Sequence, residues 1–512
     1  MNHAAGVPPQ LPDRAPARLR DDDDLRRRAL LVARASIGIY LLLLLLNLAR
    51  PKILPNEPTL SLFQKSELSK LKDSPFASLE RLLAMPAVVF YAVLAGIVVG
   101  VLIQVYVAIT RPRGARAARL TWATIGAMMG PFGLLGLSVV VLYPLHALAC
   151  LPGTAFVLLL LHNAQRFARV PPSMLLIAFG WGALIVFGLG RAYTNLMFGS
   201  LFNYVIKAAG IDFDNVSDAT KVTGLQFRIM DFVVLHLGAV NALGTAGGIV
   251  LLMLLFRRHV TDVMTGFALG AAMGLGYNLV ESALIMKIYG LVGGILQTSA
   301  GLEYWIRQSI GLLGGQVTFG ALLGAGLALA ARARSRKERW TTVAAAFAIS
   351  IGGSTASEIL SGWFSQQLHG HMDTGTAFDT LVVTPFIWLL PQSPFIVLAV
   401  LVLRSGRRAR AAAARTAVSA EVMAGGPAIT RAEAPFLVDP SLRFWALVTT
   451  LRRYGQDPAR KLLRLQSAQL ELAAWRLRQQ EAGDDLETHE EGPLLRAKVM
   501  RLKSHAEPVV TR

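Results

Sequence analysis

Four neighbouring apolar stretches of this chain each carry titratable or amide side chains. Asp231, His236 and Asn241 fall in the first, Tyr277, Asn278 and Glu281 in the second, Gln316 in the third and Glu358 in the fourth. A carboxylate at membrane depth is costly and marks a functional site by default. Glu281 and Glu358, if brought together across a bundle, would share a proton, since two close carboxylates oppose joint ionisation. With His236 bonded to either, the set has the chemistry of a general base that activates water in a low-dielectric cavity. Glu281, Glu358 and His236 are therefore the candidate catalytic residues, and Tyr277, Asn278, Gln316 and Asn241 the candidate binding residues. The same groups also suit a structural polar anchor, or a site of binding or ion passage.

The elements that must position these groups are membrane helices. The chain has 512 residues, 54% of them apolar and 16% charged, with a mean hydropathy of +0.49. That composition excludes an ordinary soluble enzyme. Apolar runs fall at about 30–49, 86–110, 121–142, 145–162, 173–190, 232–256, 263–288, 310–331, 341–362 and 380–403. Each approaches the ~20 residues that cross ~30 Å of hydrocarbon. The expected fold is all-α, a polytopic transmembrane helix bundle of about ten spans. Gly266, Gly270 and Gly274 in the seventh span, and Gly320 and Gly324 in the eighth, repeat at the spacing that lets helices cross closely in lipid.

A net charge of +19 reads here as topology rather than nucleic-acid affinity. Basic clusters lie before the first span (Arg26 to Arg28) and after the second (Arg111 to Arg119), fourth (Arg166, Arg169), sixth (Arg257, Arg258), eighth (Arg332 to Arg339) and tenth (Arg404 to Arg410). Every second loop is thus basic, which places both termini in the cytoplasm of a multi-pass cell-membrane protein. The single Cys150 cannot pair within the chain. No cleavable signal is expected, because about thirty mostly polar residues precede the first apolar run.

The organisation expected is a cytoplasmic segment, 1–29; five N-terminal spans, 30–190; an extracytoplasmic loop, 191–231, whose 211–221 portion is polar; a membrane core, 232–403; and a cytoplasmic tail, 404–512. Within the tail, residues 405–436 read as a flexible linker rich in Ala, Arg, Gly and Pro. An amphipathic helix follows near 457–482, with Leu462, Leu465, Leu472 and Trp475 on one stripe. That stripe is expected either to dock on the protein or a second copy, or to lie on an anionic leaflet. His369, His371 and Asp373 have a spacing open to a metal but no helical frame, so no metal and no cofactor is expected.

The stretch from Phe256 to Lys287 resembles one found in PrsW-type glutamic intramembrane proteases, which are related to the CAAX-prenyl endopeptidases. In that family a helix ending in Arg or Lys leads into D-G-x-x-x-G-x-x-x-G-x-G-F-A-x-x-E-N. Thr265, Gly266, Gly270, Gly274, Gly276, Tyr277, Asn278, Glu281 and Ser282 fall on that frame. The resemblance covers roughly 230 to 365 and implies an intramembrane peptidase fold. Its first motif, E-E-x-x-K, falls on about Gly244, Thr245 and Gly248, which lack the carboxylates and the lysine. Its third places Gln316 where the family has histidine, and its fourth places Ser357 and Glu358 where a histidine and its partner are expected.

Three functions follow as expectations. The first is a PrsW-like membrane protein with a degenerate centre that binds a membrane-embedded partner or regulates another protease. The second is an active divergent peptidase using Glu281 and Glu358 with His236. The third is a transporter, whose polar groups line a solute path. The expected partners are the bilayer and a membrane-anchored polypeptide, with no nucleic acid.

Overall fold

The computed structural model describes residues 17–52, 58–61, 85–165, 170–210, 238–250, 252, 262–296, 300–333, 335–369, 376–482 and 491–504. These are helical almost throughout, with no strand among the described residues. Helices α1 (Ala17–Leu48) and α2 (Ala87–Thr110) form the first two apolar rods. The third is α3 (Gly114–Met129) continued by α4 (Gly133–Leu142), across a tight turn that contains Pro131. The fourth is α5 (Pro144–Ala164). The fifth is α6 (Pro172–Trp181), which passes through a π-type turn at Gly182–Val186 into α7 (Phe187–Ala208).

The second half begins with α8 (Gly238–Val250). It continues with α9 (Val263–Leu296), a short α10 (Ala300–Gln308), α11 (Gly315–Ala331), α12 (Arg336–His369) and α13 (Thr384–Met423). Among the described residues, eight helices are long and apolar enough to cross a bilayer, and α8 and α11 are shorter apolar helices between them. Their places coincide with the ten runs read from the sequence. The outer helices expose apolar side chains, such as Val98, Leu102 and Ile109 on α2 and Leu145, Leu148 and Leu159 on α5. A surface of that kind is matched to lipid, and the protein is a polytopic membrane protein.

Helix α9 is different, being buried along nearly its whole span. It crosses α11 at a distance only glycine permits. A methyl group on Gly266 would overlap the Gly324 carbonyl oxygen, one on Gly270 the Gly320 carbonyl oxygen, and one on Gly274 the Gln316 carbonyl oxygen. On another side of α9, Gly276 meets the Phe179 carbonyl and Gly182 of the π turn meets the Met273 carbonyl. Lipid offers no hydrophobic drive for helices to associate, so dispersion between touching backbones supplies it.

At the opposite end from Glu281, α9 is clamped by an ion pair. Asp262 caps the helix, its Oδ1 accepting from Thr265 N at 2.9 Å and from Thr265 Oγ1 at 2.7 Å. Arg410 of α13 donates from Nε to Asp262 Oδ2, and from Nη2 to Asp262 Oδ1 at 2.6 Å and Thr265 Oγ1 at 2.9 Å. Burial pushes the Asp262 carboxyl up, but the Arg410 and Thr265 hydrogen bonds and the Arg410 charge outweigh it and hold the group below the usual carboxylate range. A carboxyl whose folded pKa is depressed stabilises the fold above its unfolded value of about 3.9, and that contribution is lost as pH falls through the folded value. Asp262→Asn is therefore expected to flatten the acid limb of stability below about pH 4, read as the melting temperature of the micelle-solubilised protein against pH. A limb as steep as the parent's would show that the clamp does not couple to folding.

Three segments differ from the sequence expectation. Residues 191–208 continue the fifth span as helix, because Tyr193 and Leu196 lie on a face buried in the cluster with Tyr40 of α1. Residues 289–308, expected as a connector, extend α9 to Leu296 and then form α10. Residues 405–423 are not a flexible linker; they prolong α13 to Met423. Ala and Arg are strong helix formers, so a composition that reads as low complexity also lengthens a helix. A turn with Gly425 at φ +71° ends it. The polar 211–221 segment, Asp231, His236, His371 and Asp373 lie outside the described residues, as does the side chain of His369.

The tail forms a small bundle of α14 (Ala434–Val438), α15 (Pro440–Tyr454), α16 (Gln456–Ala482) and α17 (Glu491–Ser504) around the end of α13. On α16, Leu465, Leu472 and Trp475 pack with Ala428 and Val499, while Leu470 and Ala473 pack with Ala417 and Val418 of α13. The stripe is thus covered within the protein. At its centre, the Glu421 carboxylate, 1% exposed, meets Arg476 Nη1 at 2.5 Å and Arg496 Nε at 3.3 Å.

Candidate functional site

One turn of α9 carries Tyr277, Asn278, Glu281 and Ser282. The spacing puts Tyr277 and Glu281 one above the other, and the Tyr277 hydroxyl donates to Glu281 Oε1 at 3.1 Å. The other carboxylate oxygen faces Arg307 of α10, with Nη1 3.6 Å from Oε2. The Arg307 guanidinium in turn lies 5.6 Å from the centre of the Trp388 ring on α13, within cation–π range. An acid in the spanning helix is thus offset by a cation and a phenol, and its side chain keeps 27% of its surface accessible.

Asn241 of α8 approaches from the other side. It is 1% exposed and its amide faces the Tyr277 hydroxyl. By hydrogen-bond geometry neither Nδ2 nor Oδ1 has a partner. A buried amide with both ends open is unusual, since leaving such a group unsatisfied costs about 1–3 kcal/mol. Phe187 of α7 backs the Tyr277 ring at 5.8 Å between centroids.

Asn278 points to the neighbouring turn, donating from Nδ2 to the Gly311 carbonyl at 3.4 Å and accepting from Ser282 Oγ at 3.3 Å. It ties α9 to the entry of α11. Gln392 of α13 holds that entry, its Oε1 accepting from Gly315 N at 2.7 Å. Gly315 sits at φ +53°, a conformation that favours glycine. Gln316, next in sequence, is half-buried and brings its carbonyl against Gly274.

The structure therefore brings Asn241, Tyr277 and Glu281 together, with Asn278 and Gln316 along the same α9–α11 seam. Glu358 stands on an exposed face of α12, whereas Tyr277 and Arg307 are the groups that meet Glu281. Sequence reasoning missed Arg307, Trp388 and Gln392. The signal for Arg307 was its place in the amphipathic segment AGLEYWIRQ between two spans. Trp388 and Gln392 sit in an apolar run with Pro391 and Pro394, where nothing in the spacing singles them out.

The positions on which the family's Glu-Glu-Lys motif falls are packed. Gly244 and Thr245 of α8 are buried, the Gly244 carbonyl accepts from Trp181 Nε1 at 3.1 Å, and a methyl group on Gly248 would meet the Trp181 ring at 2.5 Å. At Gly248 Trp181 occupies the space that a longer side chain would need, whereas a methyl group on Gly244 would only touch Val186.

Residues 170–356 match the family model of the PrsW family intramembrane metalloprotease. Searches of curated proteins and of solved structures returned no match. The PrsW-like segment thus begins at the fifth span, before the core read from the motifs. The packing explains why, since α6 and the π turn touch α9 through Gly276 and Gly182. It takes in Asn241, Tyr277, Glu281, Arg307 and Gln316, and stops short of Glu358 and Trp388. The family's description implies a metal, and the described side chains around Glu281 do not fit one. Among the described residues no three His, Cys, Asp or Glu side chains gather. At Glu281 the place of a cation is taken by the Arg307 guanidinium.

Proposed function

We propose that the protein is a PrsW-like membrane protein whose peptidase centre is degenerate, and that it binds or regulates a membrane-anchored polypeptide. The observation that carries this reading is the state of Glu281. Its two oxygens are engaged by a phenol and a guanidinium, and α8 offers Gly244 and Thr245 where the family has carboxylates. A general base must present its carboxylate to a water beside a second proton-transfer group. Glu281 instead reads as a polar anchor that organises Tyr277 and Arg307.

What remains beside it is a recognition element. The Asn241 amide, buried beside the Tyr277 hydroxyl, has one donor end and one acceptor end, and it would pair with the N–H and C=O of a peptide unit once α8 and α9 part to admit one. An unwound stretch of a single-span polypeptide would supply such a unit at membrane depth, where its backbone groups need partners. Both termini and the tail are assigned to the cytoplasm. In support, basic ends pair on one side: Arg34 of α1 with Gln104 of α2 at 2.9 Å, Arg407 with the Ala164 carbonyl at 3.2 Å, and Arg410 with Asp262.

The test is reconstitution of the full protein with membrane-anchored reporter peptides carrying a photo-reactive residue within the span. The expected result is cross-linking without cleavage, with the cross-link lost in Asn241→Leu. Cleavage by the parent that is abolished in Glu281→Gln or Glu358→Gln would overturn the degenerate reading. Cross-linking equal in the parent and Asn241→Leu would overturn the recognition role.

A further inference from the structure

The tail carries an amphipathic helix with an apolar face that no described residue buries. Helix α15 has no buried residue. Its Phe444, Trp445 and Leu451 are 60%, 59% and 47% exposed. With Val448 and Arg452 they recur at i, i+1, i+4, i+7 and i+8, which is one face of a helix. Arg452 and Arg453 follow at its end, both exposed. Phe436, 44% exposed, extends the apolar surface just before the helix. The neighbouring α16 shows the contrast, because its apolar stripe is spent on packing against α13 and α17.

The position of α15 decides what covers it. Arg407 and Arg410 fasten α13 to the ends of α5 and α9, which marks where α13 leaves the bilayer. Seven residues on, Ala417 and Val418 pack against Leu437 and Val438, which immediately precede Asp439, the cap of α15. Seven helical residues rise about 10.5 Å. The first turn of α15 therefore starts within reach of the headgroups, on a chain already anchored in the membrane. Trp and Phe beside Arg are the side chains of an interfacial helix, which sinks its apolar face about 5–10 Å.

We infer that α15 lies on the bilayer surface beside the exit of α13, with Phe444, Trp445 and Leu451 among the acyl chains and Arg452 and Arg453 on anionic phospholipid headgroups. The arginines that line the exit of α13, Arg404 to Arg410, draw anionic lipid to the same place. The bilayer contact that the amphipathic pattern at 457–482 left open thus falls to the preceding helix.

The test uses the full-length protein in nanodiscs. A spin label is placed at Leu451→Cys, with Val98→Cys on the lipid-facing α2 and Ser467→Cys on the exposed side of α16 as references. Cys150, fully buried, stays unlabelled. In discs of phosphatidylcholine with phosphatidylglycerol, the label at 451 is expected to collide with oxygen and be shielded from a nickel chelate, as at 98 and unlike at 467. Each of Arg452→Gln and Arg453→Gln is expected to lower the ratio of docked to undocked signal about fivefold, or about 1 kcal/mol. Nickel access at 451 equal to that at 467 would overturn the inference. So would shielding from both reagents, which would show a covering protein, or shielding lost when each disc holds one copy, which would show a dimer contact.

Discussion

Gly270→Ala is expected to remove most of the folded protein. One methyl group at this position would overlap the Gly320 carbonyl oxygen, and neither partner is a side chain that can turn away. The clash is backbone against Cβ, so relief requires α9 and α11 to separate along a seam that also includes Gly266–Gly324 and Gly274–Gln316. Overpacking of a well-packed core typically costs 1–3 kcal/mol, and an immovable backbone neighbour places this case at about 3 kcal/mol or more. That is a large part of the stability of a marginal fold. The measurement is the monodisperse yield and melting temperature in detergent, with Gly352→Ala as control. Gly352 lies in α12 with nothing within 4 Å of a built Cβ, so its alanine variant is expected to be as stable as the parent or slightly more so. A Gly270→Ala protein that melts with the parent would show that α9 and α11 do not meet at this glycine.

The second large effect is expected at the Glu281–Arg307 pair. Arg307→Gln leaves the Glu281 carboxylate with Tyr277 alone, and Glu281→Gln leaves the guanidinium stacked on Trp388 without its anion. Breaking a fully buried pair costs 3–5 kcal/mol, and a carboxylate with 27% of its surface accessible brings the figure to about 2 kcal/mol. The double variant is expected to be no less stable than Arg307→Gln, since with both charges gone none is stranded. The coupling between the two sites then has a magnitude of about 1–2 kcal/mol, read from melting of the four proteins. Strict additivity would show that the ion pair does not hold the site, and that Glu281 is free to act as a base.

These two expectations meet at α9. The glycines hold its lower and middle turns against α11 and α6, and that fixed axis presents Tyr277 and Glu281 to α8 and α10 with their rotation set. A loss of glycine packing is therefore expected to lower reporter cross-linking as well as stability, whereas a loss at Arg307 disturbs the site with the helix crossing retained.

Much of this was legible in the sequence for identifiable reasons. Spans are read from length and apolarity because a bilayer imposes both. The glycine repeat was legible because close crossing in lipid needs a missing Cβ at every fourth position. Asn241, Tyr277 and Glu281 stood out as polar groups in apolar runs, and tertiary packing brings them together. Glu358 stood out by the same rule, yet a span of composition alone does not say which face of α12 looks inward. The tail from 405 onward misled because Ala and Arg serve both a low-complexity linker and a long helix, and what decides between them is whether Ala417 and Val418 find a partner, here Leu470 and Ala473.

By itself the sequence determined that this is an all-helical membrane protein with a PrsW-like segment built around α9, because hydropathy and glycine spacing are local properties and need no partner to be read. Only the tertiary structure decided what surrounds Glu281. Its engagement by Arg307, the stacking of that guanidinium on Trp388 and the open Asn241 amide depend on side chains from α8, α10 and α13 meeting at one turn. Pairing between residues so far apart in the chain is set by the packed backbone.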